Sequence, residues 1–218
     1  LTPLRAAARN RTPLSPRREA AFFFVRNRML ILLSPAKSLD FDTPLPPGLA
    51  HTLPAFPAQA RELVGMLRGF APQDLASLMH TSDALAALNV ARFANFRARP
   101  GEAHARQALL AFNGDVYDGL DARSLDASAL AWAQDHLAIL SGLYGVLRPL
   151  DRMQPYRLEM GTRLATPHGT NLYDFWGAQI ARHLDKQLRK QPGEPLLLNL
   201  ASQEYFKSVD RKALRARV

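Results

Sequence analysis

Three short stretches place cations, carboxylates and hydroxyls directly after apolar runs: SPAK (34–37), RPLDRMQPYRLEMG (148–161) and NLASQEYFKS (199–208). In open α/β sheets, ligands bind outside the carboxyl ends of the strands. If these loops converge, Ser34, Lys37, Arg148, Tyr156, Arg157, Glu159, Asn199, Ser202 and Glu204 surround one cleft. Planar guanidinium forks and a lysine ammonium suit phosphate or carboxylate, and Glu159 and Glu204 are the candidates for general acid–base work on a nucleotide-like small ligand. The same residues have quieter readings. Arg148 with Asp151, and Arg157 with Glu159, also read as structural ion pairs. Asn199 and Ser202 also read as caps of a helix starting near SQEYF, and Tyr156 as a residue filling the edge of the core.

A second chemistry lies in DLASLMHTSDALAALNVARFANF (74–96). A helix-hairpin-helix unit joins two helices by a tight turn of the form L-x-x-L-P-G-h-G, whose amides grip a phosphate without reading sequence. Leu75 and Leu78 occupy the two leucine places, and His80, Thr81 and Ser82 the turn, with Arg92 and Arg97 as further phosphate contacts. His80 and Ser82 stand where glycine would permit positive φ. Asp83 suits the helix dipole but repels an anion. Two ordinary packed helices with Thr81 or Ser82 as N-cap are the alternative.

These residues need a scaffold, and the apolar pattern provides one. LILLS (30–34), QALLAF (107–112), AILSGLYGVL (138–147) and PLLLNLA (195–201) read as buried strands, continuous rather than alternating, as in a sheet covered on both faces. In DFWGAQIARHLDKQLRK, Trp176, Ile180, Leu184 and Leu188 recur every fourth residue and mark a helix face. Five prolines between 44 and 57 suggest an extended surface connection. The class is α/β: a single compact domain with a mostly parallel or mixed sheet, and a mostly α insertion after the first strand.

Charge needs to be located before it is interpreted. The net +9 is uneven: residues 1–28 hold seven arginines against Glu19, residues 207–218 carry a net +4, and the body between is close to neutral. Residues 1–28 open on Leu and show no sustained period, so they are expected to lie outside the domain as a disordered extension or start-site artefact, with the domain at 29–218. The chain has no cysteine, which excludes disulfides and thiolate metal sites. Its six histidines lack metal-ligand spacing, and no run of roughly 18 apolar residues could span a membrane. No metal, cofactor or membrane is expected, and the chain is expected to be a monomer.

Five segments, MLILLSPAKSLDF, ARQALLAFNGDVYDGL, LSGLYGVLRPLDRMQPYRLEMG, NLYDFWG and NLASQEYFKSV, resemble the YaaA peroxide-stress family in order and spacing over residues 29–218. The resemblance implies a cytoplasmic bacterial protein, induced by hydrogen peroxide, that binds DNA and lowers unincorporated iron. It implies a helix-hairpin-helix at 74–96, a positively charged cleft and sequence-independent DNA contact. Family members continue past the position of Val218 with another strand and a basic segment, so the chain is expected to be carboxyl-truncated.

Overall fold

The computed structural model describes residues 27–190 and 193–218. Most of the 1–28 extension therefore lies outside the described residues. The first strand, β1 (Asn27–Leu33), starts two residues before Met29. Its run of Met29, Leu30, Leu32 and Leu33 is buried, because the strand is central in a four-stranded sheet ordered β6-β5-β1-β8. Strand β5 (Leu137–Ser141) and strand β8 (Glu194–Asn199) flank it in parallel, and β6 (Gly145–Leu147) closes the edge antiparallel to β5. The sheet is thus mixed and mostly parallel, and one contiguous core runs through the whole domain.

PLLLNLA forms a strand as expected but not a buried one, because β8 lies at the sheet edge with Leu197 buried and Leu198 and Leu200 exposed. Two of the other expected strands take another form. AILSGLYGVL is a hairpin: the chain reverses at Gly142–Tyr144, and Ser141 pairs with Gly145. Both glycines are required there. A Cβ on Gly142 would sit 2.2 Å from the carbonyl oxygen of Leu158, and Gly145 has φ +68° with the Trp176 ring packed against it. QALLAF is one buried helical turn, Ala108–Ala111, between two-residue strands: β3 (Arg106–Gln107), antiparallel to β7 (Arg152–Met153), and β4 (Phe112–Asn113), antiparallel to β2 (Ser38–Leu39). Ala-Leu-Leu-Ala is among the strongest helix formers and lacks β-branching; its first amides bond outward, Ala108 to the Asp151 carbonyl (2.9 Å) and Leu109 to that of Pro149 (3.0 Å).

The insertion between β1 and β5 is mostly helical. Its first three helices are α1 (Pro57–Leu67), α2 (Pro72–Met79) and α3 (Asp83–Ala94). The end of α3 is capped from α1's side: the Arg68 Nε donates to the Phe93 carbonyl (2.8 Å) and its Nη2 to that of Phe96 (2.7 Å), supplying donors for the orphan carbonyls of a helix terminus. Later the buried stripe Trp176, Ile180, Leu184, Leu188 is present as expected. Gly177, at φ +45°, divides it between two helices, Leu172–Trp176 and Gln179–Leu188. The Trp176 indole N–H donates to the Gly142 carbonyl at 3.0 Å and so fastens this layer to the β5–β6 turn.

Candidate functional site

Three loops meet at the carboxyl end of the sheet. After β1, the Ser34 hydroxyl oxygen accepts the Ser202 amide at 2.9 Å, joining the first and third loops. Lys37 Nζ lies 3.1 Å from one oxygen of Glu159, and Arg157 Nη2 lies 2.8 Å from the other. Glu204 accepts the Gly161 amide at 2.8 Å, joining the second and third. The expected convergence is therefore found for Ser34, Lys37, Arg157, Glu159, Ser202 and Glu204.

The middle loop owes its orientation to alternation. From Tyr156 to Met160 every second side chain, Tyr156, Leu158 and Met160, is buried, while Arg157 and Glu159 are partly exposed between them. This extended segment has the period-2 logic of a strand, anchored beside the hairpin by the Gly142–Leu158 contact.

All five tyrosines hold this site in shape. Tyr117 donates to the Ser34 carbonyl (2.8 Å) and Tyr173 to that of Glu204 (3.1 Å). The Tyr144 hydroxyl accepts the Gln154 amide (3.0 Å), Tyr156 shares a 2.6 Å hydrogen bond with Ser141, and Tyr205 lies against the amide of Met160. Burial, reinforced by the neighbouring Tyr156, Glu204 and Glu159, pushes the Tyr205 phenol well above its ordinary range, so it stays neutral.

Three of the nine cleft candidates are placed elsewhere or already engaged. Arg148 is at the opposite end of the sheet, because the β5–β6 reversal carries the chain back and pairs Leu147 with Ile139. Its guanidinium meets Asp151 at 3.0 Å and its amide donates to the same carboxylate. Asp151 also accepts from the Thr52 hydroxyl, so Arg148 ties down a loop. Tyr156 is buried beneath the cleft rather than lining it. Asn199 folds onto its own turn, its Oδ1 accepting the Ala201 amide at 3.1 Å. Ser202 caps the helix Gln203–Phe206 while tying Ser34.

The α2–α3 turn reaches the same region. His80 ends α2 in the left-handed conformation (φ 49°, ψ 52°), and the Thr81 amide bonds back to the Ala76 carbonyl at 3.1 Å, a Schellman-type closure normally built on glycine. Ser82 is the N-cap of α3, with extended backbone and its hydroxyl facing the Leu85 amide at 3.4 Å. Only His80, of the two glycine-like positions, has positive φ. Residues 77–80 line a groove of about 500 Å³ together with Glu159, Gly161, Thr162, Arg163 and Glu204. Arg92 and Arg97 do not join it. At 1.5 Å per residue, Arg92 is about 15 Å along the helix from Ser82; it is half-buried against Asn89, and the Arg97 backbone is clamped by Gln154.

Arg163 is the groove residue that sequence reasoning missed: it is exposed and follows Gly161 and Thr162 at the end of the alternating segment. Extending the alternation past Met160 would have found it. Among the described residues, no three His, Asp or Glu side chains are grouped so as to hold a metal ion, and no helix is long and apolar enough to cross a membrane.

Comparison with known proteins gives these features a family. The family model described as Peroxide stress protein YaaA matches residues 29–218. The chain is 70% identical over 190 residues to a UPF0246 protein of Paracidovorax citrulli, covering 87% of this chain and 73% of that protein. It is 69% identical over 188 residues to a UPF0246 protein of Delftia acidovorans (86% and 72%), and 60% identical over 190 residues to one of Bordetella petrii (87% and 73%). A match of this extent leaves a single assignment: the chain belongs to the YaaA family of peroxide stress proteins.

Proposed function

We propose that the protein binds DNA through its phosphates, without reading sequence, as part of the peroxide stress response. The observation that supports this reading is the shared groove: the last turn of α2 with His80 lines one concavity with the second and third strand-end loops. The amides of His80 and Thr81 both donate to the Ala76 carbonyl, so anion contact falls to the amides that open α3, which have no intrahelical partner. The groove's carboxylates are already engaged, Glu159 by Lys37 and Arg157, and Glu204 by the Gly161 amide. The lining itself sets Arg163 against Glu159 and Glu204; with Lys37 and Arg157, the partners of Glu159, the cluster has one cation in excess. Lys207, held 4.7 Å over the Tyr173 ring beside Glu204, adds a further cation. Arg217 lies instead beside Pro195 and Leu196, at the amino end of β8. The family resemblance, rather than the groove, supports the further reading that the protein acts in the bacterial cytoplasm to lower unincorporated iron and oxidative damage. Gel-shift titration against duplex, single-stranded and mismatched DNA at two ionic strengths tests the binding. Affinity that falls with salt and ignores sequence supports it; no duplex affinity at low salt refutes it.

A second reading is favoured by Glu159 and Glu204 standing in one groove, with Lys37 on Glu159. Here the groove acts on a nucleotide or damaged base, with one carboxyl as general acid–base. Glu159→Gln separates the readings, since an enzyme loses turnover while a phosphate grip keeps or gains affinity.

A further inference from the structure

At the far end of α3, where the proline-rich connection meets α1, a recess of about 100 Å³ is walled mainly by apolar side chains, among them Leu53, Pro57, Phe96 and Pro100. Arg61, Arg97 and Arg152 stand around it, and no carboxylate lines it. Among the described residues none of the three makes an ion pair. Arg61 and Arg97 are exposed, and water serves them. Arg152 is different: its Nη2 is buried with no hydrogen-bond partner. Its backbone is fixed, the amide donating to the Thr52 carbonyl at 2.9 Å and the residue pairing with Gln107. The side chain forms the wall between this recess and a more polar one of about 280 Å³ that includes His51 and Gln107.

A buried guanidinium nitrogen without an acceptor is among the costliest groups a fold can retain, and each such group calls for an explanation. Here charge and shape point the same way. We propose that the recess binds a small organic carboxylate with an apolar body, its carboxylate on the Arg152 guanidinium, which turns its covered Nη2 toward the ligand, and flanked by Arg97 and Arg61. The planar fork matches a carboxylate. The apolar walls favour a hydrocarbon body and penalise a fully hydrated dianion such as phosphate. Since a cavity of about 150 Å³ accommodates benzene, the recess accommodates about four carbon atoms. It is separate from the proposed DNA groove: the groove is lined by residues up to His80, before α3, and the recess by residues from Phe96, after it, so the 12 residues of α3 hold the two about 18 Å apart.

The test is a thermal-shift and ligand-observed NMR titration of the full chain with isovalerate, its neutral amide isovaleramide, and inorganic phosphate. Isovalerate is expected to raise the melting temperature saturably and the other two not, and Arg152→Met is expected to weaken isovalerate at least about tenfold, the loss of one charge-assisted contact. If Arg152→Met does not fold, the Arg61→Gln/Arg97→Gln double variant is read for the same loss. Absence of saturable isovalerate binding, equal binding of phosphate or the amide, or unchanged affinity in the variant that folds overturns the proposal. Saturating duplex DNA is expected to leave isovalerate affinity unchanged, so failure here and failure of the DNA reading are separately visible.

Discussion

Glu159 is the residue on which the site's chemistry turns, because it is held between Lys37 at 3.1 Å and Arg157 at 2.8 Å. Partly exposed pairs of this kind stabilise modestly, so on the proposed DNA reading its main effect is to occupy two cations that a phosphate would otherwise use. Glu159→Gln is expected to raise duplex affinity several-fold at low salt, read by fluorescence anisotropy, with the melting temperature nearly unchanged. His183 bears on stability instead. Burial, then the charges of Arg148, Lys186 and Lys190, lower its pKa from 6.5 to about 4, while in the unfolded chain it titrates at its ordinary value. Between those values the unfolded state binds the extra proton, so the contribution is complete above pH 6.5 and lost as pH falls towards 4. Denaturant midpoints measured across that window should fall with pH, and His183→Gln should flatten the slope. Lys37, Arg157, Glu159, Ser202 and Glu204 were legible in the sequence as residues that follow apolar runs. Arg148 was misread because proximity along the chain hid the reversal at residues 142–144, and Arg163 was passed over because it lies beyond the motif's end.

At the scale of elements, local backbone demands decide what is replaceable. His80 holds a left-handed conformation that costs an L-residue about 1 kcal/mol. His80→Gly is therefore expected to stabilise the protein by about 0.5–1 kcal/mol, partly offset by glycine's freedom in the unfolded chain, and to leave DNA affinity equal or higher. Stabilisation with lost binding would assign the grip to the imidazole instead of the amides that open α3. Gly142 is the opposite case. Its added Cβ would meet a backbone oxygen at 2.2 Å, which no side-chain shift relieves, so Gly142→Ala is expected to destabilise by at least about 2 kcal/mol in equilibrium unfolding and to displace the 154–161 segment. The buried run of β1 and the stripe from Trp176 to Leu188 could be read from periodicity; β8 could be read as a strand but not as the edge strand it is, with Leu197 buried and Leu198 and Leu200 exposed. The helical turn in QALLAF could not, since a short apolar run fits either state and only the neighbouring strands, each two residues long, reveal that there is no ladder for it to join.

Across the whole molecule, the sheet brings the three loops to one end, and the insertion adds the last turn of α2 with His80 to the groove that the second and third of them line. Overall charge alone would have misled. The net +9 is carried largely by the two ends of the sequence, whereas the groove lining sets Arg163 against Glu159 and Glu204 and gains a single positive excess only with Lys37 and Arg157, the partners of Glu159. The α/β class and single core were legible from the alternation of apolar runs and amphipathic helices. The groove was not, because no local pattern records which loop faces which helix turn. The most direct measurement of the central claim is duplex affinity against salt, over about 50–200 mM, for two unrelated sequences, with the wild-type chain and the Lys37→Ala/Arg163→Ala double variant. The account predicts steep, sequence-independent loss of affinity and a slope reduced by about one for each cation removed. Binding that is absent at the lowest salt, indifferent to salt, or unaltered in slope by the double variant would contradict it.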